Sequence, residues 1–319
     1  MKKPGKDFLF AICCTLACLC AVTTLSACRS SVKPSAESYR QVIADSVSRI
    51  AAEYPGEIGI AVIIGNKDTV AVNDRNVYPM MSVFKLHQAI SVCHRFDLDD
   101  MSLDSVMTVD RADLDPATWS PMLKQHPEPR ISLPVKELLQ YSLSLSDNNA
   151  SNLMFDRLVG VAATDSLIAT IIPRATFSIA YSEHDMAALH DRAYANSTSP
   201  LGAAMLINRL FTDSLMSPDK QEFITASLKD CQTGTDRIAA PLLDKAGVSI
   251  AHKTGSGYVN EKGQLVAHND VAYITLPDGR SYSLAVFVKD LNGNERMASE
   301  AIARISAAVY SIVCNNSGI

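Results

Sequence analysis

The stretch Ile58-Gly59-Ile60-Ala61-Val62-Ile63-Ile64 is rich in β-branched side chains and bounded by Gly56 and Gly65, so it predicts a β-strand. Thr69 to Val72 follows as its hairpin partner. The other strand-like runs, Val248 to Lys253, Val271 to Leu276 and Tyr282 to Val288, lie at the far end of the chain. The turn residues Pro277-Asp278-Gly279 join the last two. Helical spacing flanks this set: Tyr39, Val42, Ile43, Val47 and Ile50 before it, and a pattern from about Glu295 to Val313 after it. From about Ser82 to Leu228 the periodicity is mostly helical, with segments near Phe84–His94, Val135–Ser142, Ala150–Val159, Ala163–Ile171, Gly202–Phe211 and Gln221–Leu228. The terminal strands must therefore pair across a helical insertion. The expected fold is α/β in the broad (α+β) sense: an antiparallel sheet built from both chain ends and flanked by helices, beside an all-α domain.

The expected division assigns 37–78 and 232–319 to the α/β domain and 79–231 to the all-α domain. Within the latter, 173–199 has weak periodicity. A loop of that length inside a compact domain is unusual and often functional.

The chain of 319 residues is 47% apolar and 20% charged, the balance of an ordinary globular protein, with a formal net charge of -5. No basic stripe is present, so nucleic acid is not an expected partner. Lys2, Lys3 and Lys6 precede an almost wholly apolar run from Phe8 to Leu25, which reads as an export signal over 1–27. Leu25-Ser26-Ala27-Cys28 resembles the lipobox of bacterial lipoproteins, which implies acylation of Cys28, a polar tether over 28–36 and a periplasmic, membrane-anchored protein. An ordinary cleaved signal and an uncleaved anchor are the other readings.

Of eight cysteines, Cys13, Cys14, Cys18 and Cys20 fall in the signal and Cys28 is the lipid candidate. Cys93, Cys231 and Cys314 remain, widely spaced and odd in number; one disulfide among them stays open without the sequence choosing it, and the leading reading is small buried hydrophobes. His87, His94, His126 and His252 stand in no metal-ligand spacing, so no metal and no cofactor are expected.

Three short motifs carry chemistry. In Ser82-Val83-Phe84-Lys85 the two polar residues share one helix face, so the amine reaches the hydroxyl. A serine becomes a nucleophile when a neighbouring base takes its proton, and a lysine acts as that base when burial or nearby positive charge weakens its hold on its own. Taken singly the pattern is weak, since about one S-x-x-K arises by chance in a chain of this length. Ser146-Asp147-Asn148 forms a polar knot between apolar runs, and all three residue types also cap helices. Lys253-Thr254-Gly255-Ser256-Gly257 ends a strand, where a cation and hydroxyls can meet an anion at a sheet edge.

In this order the three motifs resemble those of the class A serine β-lactamases and the related penicillin-binding proteins. The similarity runs from about Ser38 to Cys314. The stretches Gly56-Glu57-Ile58-Gly59, Tyr78-Pro79-Met80-Met81-Ser82 and Ala251-His252-Lys253-Thr254-Gly255-Ser256-Gly257 look most like the CfxA-type cephalosporinases of Bacteroides-like anaerobes.

The resemblance implies that Ser82 attacks a β-lactam carbonyl, with the backbone N–H groups of Ser82 and Ser256 as oxyanion hole. It implies Lys85, or Glu183 through a water, as acylation base, and Ser146 as proton donor to the leaving nitrogen. Asn148 would hold the substrate's side-chain amide and help to position Lys85. Lys253, Thr254 and Ser256 would engage the substrate carboxylate. β-Lactam antibiotics, cephalosporins foremost, are then the partners.

Glu183, in Tyr181-Ser182-Glu183-His184-Asp185-Met186, separates a hydrolase from a penicillin-binding D-Ala-D-Ala peptidase or an acylating sensor, because a loop carboxylate activates the water that frees the enzyme. Asp185 is its nearest competitor. The sequence also departs from the usual pattern. Ala187 stands where most members carry a loop asparagine, with His190 as a candidate water partner in its stead. His268-Asn269-Asp270 occupies the strand position where many carry a carboxylate-binding arginine. Trp119-Ser120-Pro121 resembles a motif whose aromatic lines the site entrance.

Overall fold

The computed structural model describes residues 36–316; Cys28 and the export signal lie outside the described residues. The chain runs α1 (Ala36–Ala51), β1 (Glu57–Ile64), β2 (Asp68–Val72) and β3 (Tyr78–Pro79). It continues through α2 (Phe84–Leu98), β4 (Val106–Asp110), α3 (Pro121–Gln125), β5 (Arg130–Pro134), α4 (Val135–Ser144), α5 (Asn148–Arg157) and α6 (Val161–Ile171). Next come β6 (Phe177–Ser178), α7 (Glu183–Ala188), β7 (Ser197–Thr198), α8 (Pro200–Thr212) and α9 (Pro218–Lys229). The chain closes with β8 (Ser249–Ser256), β9 (Leu265–Thr275), β10 (Ser281–Leu291) and α10 (Glu295–Asn315).

The main sheet has the order β2-β1-β10-β9-β8 and is antiparallel throughout. β1 from one chain end pairs with β10 from the other, with Ile60 opposite Val286. The expected pairing of terminal strands across the helical middle is therefore present. The period of two along β1 divides its side chains between the faces. Ile58, Ile60, Val62 and Ile64 pack with Ile43 and Val47 of α1 and Ile302, Ile305 and Val309 of α10. Ala61 and Ile63 join a second, larger core with α2, α4, α5 and α8. With both faces covered, alternation in β1 gives way to a continuous apolar run.

Local chemistry fixes the elements around the site. Ser199 caps α8 by accepting from Gly202 N at 3.1 Å, with Pro200 in the first turn. Asn294 caps α10 through Met297 N at 3.0 Å. Two small sheets were not apparent from periodicity. β4 pairs with β5, and β3, β7 and β6 form a three-stranded patch. The segment 79–231 is therefore not wholly helical as expected. The patch consists of two-residue strands, too short to show a period, and it clamps both ends of 173–199 beside the approach to Ser82.

Candidate active site

Ser82 lies in a single 3-10 turn, Met81–Val83, that feeds directly into α2. Its partner Lys85 is wholly buried one turn on, and Lys85 Nζ donates to Ser82 Oγ at 3.1 Å. The same amine reaches the carbonyl of Ser146 at 2.8 Å, Asn148 Oδ1 at 2.6 Å and Glu183 Oε1 at 2.9 Å. Ser82 Oγ donates to that glutamate oxygen at 3.1 Å. The hydroxyl, the amine and the loop carboxylate thus converge within hydrogen-bond reach, from segments far apart in sequence.

Ser146-Asp147-Asn148 splits its work. Asp147 does what a cap does: it accepts from Ser120 Oγ at 2.9 Å, Met122 N at 2.7 Å and Ala150 N at 2.9 Å, tying α3 to α5. Burial raises the Asp147 carboxyl, against the pull of these donors. Its neighbours are left for the site. Ser146 takes a positive φ of 59°, uncommon for a residue with a Cβ, and its Oγ accepts from Lys253 Nζ at 3.0 Å. Asn148 binds Lys85 on one side and Thr118 Oγ1 on the other, at 2.9 Å. Trp119 is 54% exposed at the edge, its indole N–H bound to Leu145 O at 2.9 Å and therefore beside Ser146.

Lys253 to Ser256 form the end of β8, the last strand of the sheet. Gly255 is required by contact: a Cβ there would stand 2.4 Å from the carbonyl oxygen of Met80, next to the turn that carries Ser82. The N–H groups of Ser82 and Ser256 belong to these two abutting segments. Lys253 is wholly buried, and burial pushes its amine down to about 7.

The loop is positioned by named bonds. Ser182 and Asp185 form a capping box at the start of α7, with Asp185 N donating to Ser182 Oγ at 3.2 Å and Ser182 N to Asp185 Oδ2 at 3.1 Å. Asp185 is thereby committed to the helix start and to Arg192 at 3.6 Å, which leaves Glu183 as the acid at Ser82. Asn196 is fully buried and binds Ala180 N, Tyr181 N and Tyr181 O, at 2.8, 2.9 and 2.7 Å, and its own carbonyl accepts from Met80 N at 2.8 Å. The side chain of His190 lies outside the described residues.

The family model described as the β-lactamase enzyme family matches residues 42–313. The chain belongs to the class A β-lactamase family. A β-lactamase of Phocaeicola vulgatus is 57% identical over 318 residues, 99% of each chain. The extended-spectrum β-lactamase PER-1 of Pseudomonas aeruginosa is 33% identical over 291 residues, covering 91% of this chain and 92% of its own. Among solved structures, a class A β-lactamase from Bacteroides cellulosilyticus DSM 14838 superposes with a TM-score of 0.82 at 28% identity, covering 88% of this chain and 99% of its own. The chain is thus a hydrolase of β-lactams.

Against that family the site holds one residue that the sequence reading did not single out. The strand position expected to lack a cation does lack one: Asn269 instead donates to Pro79 O at 2.8 Å, steadying the approach to Ser82. The cation comes from elsewhere. Arg237 donates to Gly255 O at 3.1 Å, Asn269 O at 2.7 Å and Ser256 Oγ at 2.6 Å, which sets a buried guanidinium beneath the strand end. Its loop is drawn close at Gly234, where φ is 65° and a Cβ would strike Thr254 Cγ2 at 2.5 Å. The sequence signal available was a Gly-x-x-Arg spacing, too common to stand out.

The expected roles of the three cysteines divide. All three are free thiols, and Cys93 is the buried hydrophobe expected. Cys231 differs, being partly exposed and set among polar groups.

Proposed function

We propose that this β-lactamase turns over its substrates through an acyl-enzyme on Ser82 and that Glu183 drives the release. The observation that carries the reading is the placement of Glu183 Oε1 at 3.1 Å from Ser82 Oγ and 2.9 Å from Lys85 Nζ. In acylation, Ser82 Oγ bonds to the lactam carbonyl carbon while its proton passes to the Lys85–Glu183 pair. Both groups stand 3.1 Å from the hydroxyl, so the pair shares the proton and Lys85 can take it when the carboxylate is removed. The N–H groups of Ser82 and Ser256 meet the developing oxyanion, a contribution of roughly 10²–10³ in rate per donor. Lys253 donates to Ser146 Oγ, so the Ser146 hydroxyl proton is free to pass to the lactam nitrogen as the C–N bond breaks. The proton taken from Ser82 then moves on to Ser146, which restores that hydroxyl and leaves Glu183 ionised for the next step. A water then attacks the ester carbon, Glu183 takes its proton, and Ser82 Oγ departs with the proton restored.

Lys253, Thr254, Ser256 and Arg237 gather at the strand end and suit a substrate carboxylate. Asn148 and Trp119 flank the other side, where they suit the acylamino side chain. Preference for cephalosporins rests on the likeness of Tyr78–Ser82 and Ala251–Gly257 to the CfxA-type enzymes. Export and acylation of Cys28 rest on Lys2, Lys3, Lys6 and the Leu25-Ser26-Ala27-Cys28 box, and a palmitate label lost in Cys28→Ala tests them.

The main test is turnover of a chromogenic cephalosporin by the purified protein. Sustained colour development is expected. One equivalent of release followed by silence would mean a penicillin-binding peptidase or an acylating sensor instead.

A further inference from the structure

Asp270 takes no part in the hydrolytic steps, yet its carboxylate is fully buried inside the main sheet. On β9 it stands opposite Thr254 of β8, one strand in from the edge that suits the substrate carboxylate. A buried carboxylate needs donors, and Asp270 draws on two segments. His252 Nδ1 lies 3.0 Å from its Oδ1, and the backbone N–H of Ile238 donates to its Oδ2 at 3.1 Å. Burial opposes a charged imidazole, but Asp270 outweighs it and pushes His252 up to about 10, so the pair is ionic at neutral pH. Ile238 is the residue that follows Arg237.

Arg237 is only 6% exposed, and its three hydrogen bonds, to Gly255 O, Asn269 O and Ser256 Oγ, all go to uncharged oxygens. Its Nε has no partner among the described residues. No carboxylate touches the guanidinium. Burial weakens its hold on its proton, and of the charges that oppose this Asp270 is the largest, ahead of Asp236 and Glu295. An arginine stays charged even so, so what Asp270 supplies is place rather than ionisation. The backbone of Ile238 is pinned twice: its N–H by Asp270, and its carbonyl by Ser306 Oγ of α10 at 2.8 Å. Of these two ties, only the one to Asp270 joins the loop to the strands that carry the substrate edge.

We propose that Asp270 is a positioning residue for anionic substrates: by holding the N–H of Ile238 it seats the neighbouring Arg237 against Gly255, Ser256 and Asn269, in the pose that meets the substrate carboxylate. The proposal rests on the assignment of Arg237 to that carboxylate. One buried group thereby registers both cations of the edge, since His252 ties it to the strand that bears Lys253 and Ile238 ties it to the loop that bears Arg237. Register matters because a guanidinium is a rigid, planar fork whose N–H groups point in fixed directions. A small shift of the loop turns those donors away from the anion and leaves Ser82 undisturbed.

The test measures kcat and KM of the full-length protein with an anionic cephalosporin and with a neutral carboxyl ester of the same compound. Asp270→Asn keeps the shape and an acceptor oxygen but loses the charge. KM for the anion should rise about tenfold, the loss that one charge-assisted hydrogen bond allows, with kcat within about twofold and the ester unaffected. Added to Arg237→Ala, it should cause no further loss beyond that of Arg237→Ala alone. Where the single variant fails to fold around a charged imidazole, His252→Asn with Asp270→Asn removes the ion pair whole and carries the same expectation. An unchanged or lowered KM, an equal loss with the ester, or a loss that adds to that of Arg237→Ala would overturn the proposal. A KM unchanged in Arg237→Ala itself would overturn the assignment of the edge as well, whereas a rise there with none in Asp270→Asn strikes the positioning role alone.

Discussion

Lys85 Nζ and Glu183 Oε1 stand 2.9 Å apart, and the hydroxyl of Ser82 is 3.1 Å from each. One loop acid therefore serves the nucleophile and its amine partner together. Replacing it separates the two halves of the reaction. Glu183→Gln keeps the shape and loses the base, so steady-state turnover should fall by about 10²–10⁴. An intact mass spectrum should then show the opened drug on the protein, at Ser82, and Ser82→Ala should show none. Wild-type turnover in Glu183→Gln would remove the carboxylate from the mechanism.

Arg237 offers a different kind of test, because its guanidinium touches the strand end and not the nucleophile. A hydrogen bond to a charged group contributes about 1.5–3 kcal/mol. Arg237→Ala should therefore lower kcat/KM for carboxylate-bearing β-lactams by roughly tenfold to a hundredfold, chiefly through KM. An unchanged KM would place carboxylate recognition on Lys253 and the hydroxyls alone.

These two residues mark how far the sequence could be read. Glu183 was legible because it sits at a recognisable place in a loop, and the three motifs are contiguous runs whose spacing survives as text. Arg237 was not, because its position depends on Gly234 folding the loop onto Thr254 and on Asn269 lending a backbone carbonyl, contacts between segments distant in sequence. The same holds for the main sheet against the small one. β1 and β10 announce themselves by long β-branched runs, whereas β3, β6 and β7 have two residues each and exist only because the chain ends of the loop are brought together. Cys231 looked apolar for a related reason: one of its polar neighbours is His252, on a strand that arrives later in the chain.

Lys253 predicts a pH dependence. Burial pushes its amine down to about 7, so it is a cation below that value and neutral above it. An anionic substrate needs the cation. kcat/KM for such substrates should accordingly decline on a basic limb that begins near neutrality. Lys253→Arg, which keeps its charge throughout the range, should move that limb upward. A flat profile between pH 6 and 9 in the wild type, a window set by the value of about 7, would assign the anion to Arg237 instead.

Gly255 tests the contact between the nucleophile's turn and the strand edge. A methyl group there would stand 2.4 Å from Met80 O and 3.1 Å from Met81 Cβ, and a backbone oxygen has little room to retreat. Gly255→Ala should cost about 1–3 kcal/mol of stability. The larger effect should be on rate, since any retreat moves the N–H groups of Ser82 and Ser256 apart. A thermal melt together with single-turnover acylation separates the two; a lower melting temperature with unchanged acylation would show that the oxyanion donors do not depend on this contact.

The capping box at α7 isolates the placement of Glu183 from its chemistry. Ser182 holds the first turn by accepting from Asp185 N at 3.2 Å, and Glu183 is the first residue of that turn. Removing such a cap costs about 0.5–2 kcal/mol, paid locally because the loop is anchored independently by Asn196. Ser182→Ala should therefore leave the global melting temperature nearly unchanged while letting the carboxylate drift from Ser82. Acylation can still draw on Lys85, but hydrolysis of the ester depends on the glutamate, so deacylation should slow more than acylation does. Pre-steady-state measurement of both steps gives the ratio directly. Equal slowing of the two would mean that Glu183 is held by Lys85 rather than by the helix that begins with it.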